Sequence, residues 1–265
     1  MTPRRTSEHE STGTAAGRAA VVGAALRDAA RWVLPVECPG CGAWDVRLCG
    51  PCSDALRGAP RRVELAVPRL DRLDGVPPLP VWAAAAYAGP VRGVVLAWKD
   101  HGRADLTPVL ARVMRAAARA LAPDVVDAVV GEPLLVVPVP TTAHARRRRG
   151  ADLVGGLAGE VAAGLRAGGV PASAGRVLAL PRRRRRRDQA GLGARARATN
   201  AAGSVRVRRP VPGAWVLLVD DVVTTGATLA ACADALTAAG ARVLGALTVA
   251  ATPEPAQVGT DRTGT

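Results

Sequence analysis

The sequence predicts an α/β fold: a central, mostly parallel sheet flanked by helices, with a four-cysteine metal knuckle ahead of it. Three observations carry that expectation. Short Val- and Leu-rich runs bounded by Pro or Gly alternate with longer segments whose apolar residues recur at helical spacing, the pattern of parallel strands joined by helical crossovers. The apolar share is 49%, resting on Ala, Val and Leu with no Phe and one Tyr, so helices must approach the sheet closely to close a core. Four of the five cysteines form two C-x-x-C pairs, Cys38/Cys41 and Cys49/Cys52, seven residues apart.

Taken in order, residues 1–17 are polar and patternless and are predicted to be disordered. Val22, Leu26, Ala29 and Val33 share one face of a helix that Pro35 ends, so residues 18–57 make a helix plus the knuckle. Residues 58–80, rich in Pro, Arg and Asp, read as a linker, and residues 81–252 as the main domain. Within it a helical stripe runs over Leu106, Val109, Leu110, Val113 and Met114 and ends near Pro123; Leu134 to Val139 is a buried strand. Leu153, Leu157, Val161 and Leu165 make a helix closed by Gly168-Gly169, and Val177 to Leu180 a short strand. Trp215 to Val219 is a stronger strand, Leu229 to Leu236 a helix stopped at Gly240, and Val243 to Val249 the last strand. The tail over 253–265 is predicted to be disordered.

Four thiolates at the cysteine spacing close a tetrahedral Zn²⁺ site, with Gly40, Gly42 and Gly50 permitting tight turns. No ligand position stays open, so the zinc is structural or serves a contact surface, not catalysis. Cys232, on a later helix, reads as a core residue.

The segment Val216 to Leu229 is the most informative. A strand delivers Asp220 and Asp221; Thr224, Thr225, Gly226, Ala227 and Thr228 follow, and a helix begins. A helix N-terminus offers unpaired N–H groups and a positive dipole end, which the threonine hydroxyls supplement, so the turn suits a phosphate. The two carboxylates just before it are acceptors suited to ribose 2′ and 3′ hydroxyls. This run resembles the phosphoribosyl pyrophosphate motif of type I phosphoribosyltransferases.

Further segments resemble the ComF family in that family's order: Leu96 to Gly102, Val136 to Pro140 with Arg149-Gly150 after it, and Gln189 to Leu192 followed by Arg197 and Asn200. With the cysteines and Trp32 to Pro35, the resemblance covers about residues 30 to 251. It implies a type I phosphoribosyltransferase fold, a parallel sheet with helices and a small hood, binding phosphoribosyl pyrophosphate with Mg²⁺ and transferring the phosphoribosyl group to a base or amine. It places Thr141, Thr142 and Arg149 near pyrophosphate, with Lys99 either reaching the same diphosphate or lying as an ordinary surface lysine. It makes 182–200 a loop closing over the reacting centre, with Arg187, Gln189, Arg197 and Asn200 as candidates there. The family's usual aromatic residue and Asn after Arg-Gly are Ala151 and Asp152 in this chain.

The net charge of +14 suits anionic partners. Charge alone does not separate a small polyphosphate from nucleic acid. ComF proteins are linked to uptake of transforming DNA in some bacteria, which leaves a non-catalytic, single-stranded-DNA-binding accessory factor as the alternative; at 2% aromatic residues the stacking platforms for bases are scarce. No segment reads as an export signal or a membrane span, and the expectation is a cytoplasmic protein.

Overall fold

The computed structural model of the chain describes residues 36–68, 70, 77–142, 147, 152–180 and 205–253. The helix expected over 22–33, the expected disordered start over 1–17, all but residue 253 of the expected disordered tail, and the loop over 182–200 lie outside the described residues.

The cysteine knuckle ends in a short helix, α1 (Gly50–Asp54). A two-residue strand, β1 (Arg61–Arg62), and a 3-10 turn over Glu64–Ala66 follow. Residues 58–80 are therefore more than a connector: β1 pairs antiparallel with β2 (Val81–Ala86), and Val67 and Leu70 are buried. Next come α2 (Gly89–Asp100), α3 (Thr107–Val129), β3 (Leu134–Pro138), α4 (Leu153–Ala167) and β4 (Ala172–Ala174). Then β5 (Leu178–Ala179), β6 (Arg206–Val207), β7 (Trp215–Val223), α5 (Ala227–Ala238) and β8 (Arg242–Ala251) complete the described fold.

The main sheet has the order β1-β2-β8-β7-β3-β4, and every pairing in it except β1 with β2 is parallel. α2, α3 and α4 bury their apolar stripes on one face, through residues such as Val94, Trp98, Leu110, Met114, Leu157 and Val161. α5 covers the other face through Leu229, Cys232 and Leu236, together with Val67, Leu70, Val177 and Leu178. Each covered face explains why the central strands read as continuous apolar runs instead of alternating ones.

Three sequence expectations need correction. α3 does not end at Pro123 but continues through it to Val129; Leu121, Ala122, Val125 and Val129 are all buried, and that packing outweighs the lost backbone bond, whose cost is about 3 kcal/mol. The strand near 177–180 does not join the parallel sheet, since β5 pairs antiparallel with β6 in a separate two-stranded sheet. The parallel neighbour of β3 is β4, an Ala-Ser-Ala strand with too little apolar character to announce itself. Among the described residues, no helix is long and apolar enough to cross a membrane.

The order fixes where a ligand can sit. From β3 the chain moves through α4 outward to β4, whereas from β7 it moves through α5 in the opposite direction to β8. The two crossovers diverge between β3 and β7, and the crevice beyond the carboxyl ends of those neighbouring strands is the natural binding position of an open parallel sheet.

Candidate functional site

β7 is longer than its apolar core suggests. It runs on through Asp220 and Asp221 to Val223, because the pairs Asp220↔Thr248, Val222↔Ala250 and Val223↔Ala251 extend the parallel ladder with β8. The two carboxylates therefore sit on a rigid strand. Asp221 is buried and Asp220 half-buried. The Asp221 backbone N–H donates to Asp220 Oδ1 at 2.8 Å, and the Val222 N–H donates to Asp221 Oδ1 at 2.7 Å.

Lys99, at the end of α2, crosses to this strand. Its Nζ lies 2.9 Å from Asp221 Oδ1 and 2.8 Å from Oδ2. The lysine is thus no ordinary surface residue; it straddles a buried carboxylate and balances its charge. Asp220 is in a different electrostatic state. Burial, and then the neighbouring Asp221 charge, push its carboxyl up to about 8. Cys232 beneath it is pushed up to about 12 by burial and the Asp220 charge, as befits a core thiol.

After β7 the chain turns through Thr224 and Thr225, both exposed, into Gly226 and α5. No side chain caps α5; the Ala227 N–H only approaches Thr225 Oγ1, at 3.5 Å, and Thr228 is exposed on the first turn. Gly226 is left-handed, with φ +77, and a Cβ there would lie 2.6 Å from Val67 Cγ1 and 2.7 Å from Leu70 Cγ. Its role is dual: the positive φ shapes the turn, and the missing side chain admits the 58–80 segment beneath it. That second contact is silent in the sequence.

Thr141 and Thr142 follow β3, whose last pairing, Pro138↔Val219, is continued by the Val139 N–H donating to the Val219 carbonyl at 2.9 Å. The structure thus brings together, at the carboxyl ends of β3 and β7, the two threonines, the acidic pair and the Thr224–Thr228 turn, with Lys99 reaching Asp221. Arg149, Arg187, Gln189, Arg197 and Asn200 lie outside the described residues. Asp152 serves the fold, since it caps α4 by accepting from the Gly155 N–H at 3.1 Å and pairs with Arg176 at 2.9 Å.

A family model for the phosphoribosyl transferase domain matches residues 114–259, more than half of the chain. The chain belongs to this family. The match spans β3, β7, the acidic pair and the threonine turn, and it begins inside α3, so Lys99 and the knuckle lie ahead of it. No match was found among the curated proteins.

The knuckle is a second candidate centre. The ligand atoms of Cys38, Cys41, Cys49 and Cys52 all lie within 4.8 Å of one another, and Cys49 Sγ is 3.6 Å from both Cys38 Sγ and Cys41 Sγ. A Zn–S bond of about 2.3 Å in a tetrahedron requires sulfurs about 3.8 Å apart, so this donor set fits zinc. Burial raises the Cys38 thiol, but the N–H groups of Cys49, Gly40 and Cys41 bring it down to about 6. Cys52 is pushed far up by burial and by the other sulfurs. Sulfurs this crowded cannot all ionise without a cation among them.

The knuckle is also joined to α2. A Cβ at Gly93 would collide with the Pro39 carbonyl oxygen, so helix and knuckle touch at the backbone. Arg103, just past α2, donates to the carbonyls of Glu37 at 3.2 Å and Arg47 at 2.9 Å while held by both oxygens of Asp105 at 2.9 Å.

Proposed function

We propose that this chain is a phosphoribosyltransferase that binds phosphoribosyl pyrophosphate at the carboxyl ends of β3 and β7 and passes its phosphoribosyl group to a nitrogen nucleophile, releasing pyrophosphate. The observation that carries this reading is the convergence of an acidic pair, a hydroxyl-rich turn at an uncapped helix start and a lysine, at the point where the crossovers diverge. In this reading the 5′-phosphate lies against Thr224, Thr225 and the N–H groups of Gly226, Ala227 and Thr228, Asp220 and Asp221 accept from the ribose hydroxyls, and Thr141 and Thr142 face the diphosphate.

In the transfer step the acceptor nitrogen donates its lone pair to C1′ while the C1′–O bond breaks and its electrons leave on the diphosphate; the proton on nitrogen passes to solvent. The protein's contribution is orientation and fixed charge. The Asp220 and Asp221 carboxylates, as hard oxygen donors, would hold a Mg²⁺ ion, which when bound would supply further neutralisation of the leaving diphosphate. Lys99 pairs with Asp221 and, when ribose hydroxyls take over that carboxylate, becomes available to the diphosphate. The ComF-type segments and the zinc-compatible knuckle support a ComF-type enzyme in particular.

The test is calorimetric titration of the full chain with phosphoribosyl pyrophosphate and Mg²⁺, beside a variant carrying Asp220→Asn and Asp221→Asn. Binding that the variant loses supports the assignment; no binding by the wild type overturns it. One observation favours a second reading, association with single-stranded DNA: Trp44, on the knuckle between the cysteine pairs, is 67% exposed, a stacking platform in a basic chain. DNA binding that falls steeply with salt, is lost in Trp44→Ala and ignores phosphoribosyl pyrophosphate would support it.

A further inference from the structure

A cavity of about 420 Å³ opens next to this site, between residues 61–66, the end of β2 at 83–86, and residues 251–253 that finish β8. The size is that of a small-molecule site, commonly about 300–1,000 Å³. Both of its walls lead to the threonine turn. On one side the Thr252 N–H donates to the Val223 carbonyl at 3.0 Å, and Ala251 is paired with Val223 and with Ala86. On the other, the chain that carries Leu65 continues into Val67 and Leu70 beneath Gly226.

The lining has a definite chemistry. The β2 side is the stretch Ala83–Ala86, whose side chains alternate between the two faces of the strand and, being methyl groups, leave its edge open, and Leu65 beside it is 86% exposed, a large apolar side chain with little covering it. Arg62 is committed elsewhere: its Nε donates to Glu64 Oε1 at 2.8 Å, and its guanidinium stacks over Trp82 at 5.1 Å. Glu64, 6% exposed, balances that charge and also accepts from the Val81 N–H at 3.3 Å. Arg61, the next residue on the same rim, is exposed, and among the described residues none pairs with it. The cavity thus offers an apolar lining and one guanidinium that no described residue compensates.

We propose that this cavity receives the acceptor, and that the acceptor is a planar nitrogen heterocycle bearing an acidic substituent, held between the edge of β2 at 83–86 and Leu65 with its anionic group on Arg61. Calling the occupant the acceptor rests on the function proposed above; the charge preference of the cavity does not. Arg61 is then a specificity-determining residue, since a guanidinium matches a carboxylate in charge and in geometry.

The test uses two probes that share a ring and differ in charge, nicotinate and nicotinamide, titrated into the full chain with and without saturating phosphoribosyl pyrophosphate and Mg²⁺, in the wild type and in Arg61→Gln. The substitution is on an exposed side chain, and circular dichroism checks that the variant folds. Expected is a nicotinate affinity at least about tenfold above that for nicotinamide, a difference that collapses in Arg61→Gln while phosphoribosyl pyrophosphate binding holds. Equal affinity for the two probes, an unchanged preference in the variant, or no binding of either probe by a chain that does bind phosphoribosyl pyrophosphate would each overturn the proposal. A charge preference that depends on Arg61 in a chain that fails to bind phosphoribosyl pyrophosphate would instead leave the anion-selective cavity standing and remove the transferase reading.

Discussion

The two halves of the candidate site are assembled in different ways. Asp220, Asp221 and the threonine turn come from one uninterrupted stretch, held by β7 in the middle of the sheet and by the start of α5. Lys99 reaches Asp221 across 122 residues of sequence, on a helix that carries the cysteine knuckle against its outer side and Arg103 just past its end. The first half is built by local chain geometry and a strand ladder. The second depends on α2 staying where it is, and among its supports is the knuckle, whose four sulfurs suit a metal. A binding site of this kind has a rigid floor and a braced arm, and the two can be disturbed separately.

The largest expected effect on binding comes where the halves meet. Asp221→Ala removes the buried carboxylate that Lys99 grips, and stripping one partner from such a pair costs about 3–5 kcal/mol when burial is complete. With Lys99 still one-third exposed, a loss of about 2 kcal/mol is expected in urea melts, together with loss of measurable phosphoribosyl pyrophosphate binding by calorimetry. A variant that binds normally would show that the two halves do not form one site.

Gly226→Ala breaks the floor alone. The new Cβ overlaps Val67 and Leu70 and must adopt a left-handed backbone, a combined cost of about 1–3 kcal/mol. Thermal melts should shift down accordingly, and amide exchange should rise in the 64–70 segment and at the start of α5 while α2 stays protected. Disturbing the arm alone is the converse. A chelator, removing any metal held by the knuckle, or Arg103→Ala, should raise exchange over residues 89–103 and leave β7 and β8 protected; the arginine variant is expected to lose about 1 kcal/mol, typical of one lost hydrogen-bonding group. Chelation that leaves exchange in α2 unchanged would show that the knuckle does not brace it.

This division also explains what is legible in the sequence. The acidic pair and the threonine turn can be read because strand, carboxylates, hydroxyls, glycine and helix follow one another within fourteen residues, and each has a local physical reason to be there. The cysteine set can be read because metal-ligand spacing is local too. The grip of Lys99 on Asp221 cannot be derived, since nothing in the residues around position 99 says which carboxylate lies across the fold. The same holds for Val67 and Leu70: in a stretch rich in Pro, Arg and Asp they carry no periodicity, yet they fill the space that Gly226 leaves. β4 escapes notice because three small residues pair by backbone alone, and the continuation of α3 past Pro123 because tertiary burial overrides a local breaker.

The most discriminating effect is the one that separates the two neighbouring carboxylates. Burial and the Asp221 charge raise Asp220 from the usual carboxylate range near 3.8 to about 8 in the folded chain. Between those values the unfolded chain has released this proton and the folded chain keeps it, so folding takes up a proton and stability falls as pH rises from about 4 to about 8. Above about 8 both states are ionised and the loss levels off. Asp220→Asn is uncharged throughout and escapes that penalty. Thermal melts should therefore show it near parity with the wild type at about pH 4 and increasingly more stable up to about pH 8, while its affinity for phosphoribosyl pyrophosphate falls increasingly below the wild type's as pH rises toward about 8. Wild-type binding should strengthen as pH rises toward about 8 if the ribose hydroxyls need an ionised Asp220. A variant that gains stability as it loses binding marks Asp220 as a group kept for the ligand at the expense of the fold, in contrast to Asp221, which Lys99 makes part of both. An Asp220→Asn variant whose stability tracks the wild type across this range would place the raised carboxyl elsewhere and return the two aspartates to equivalence.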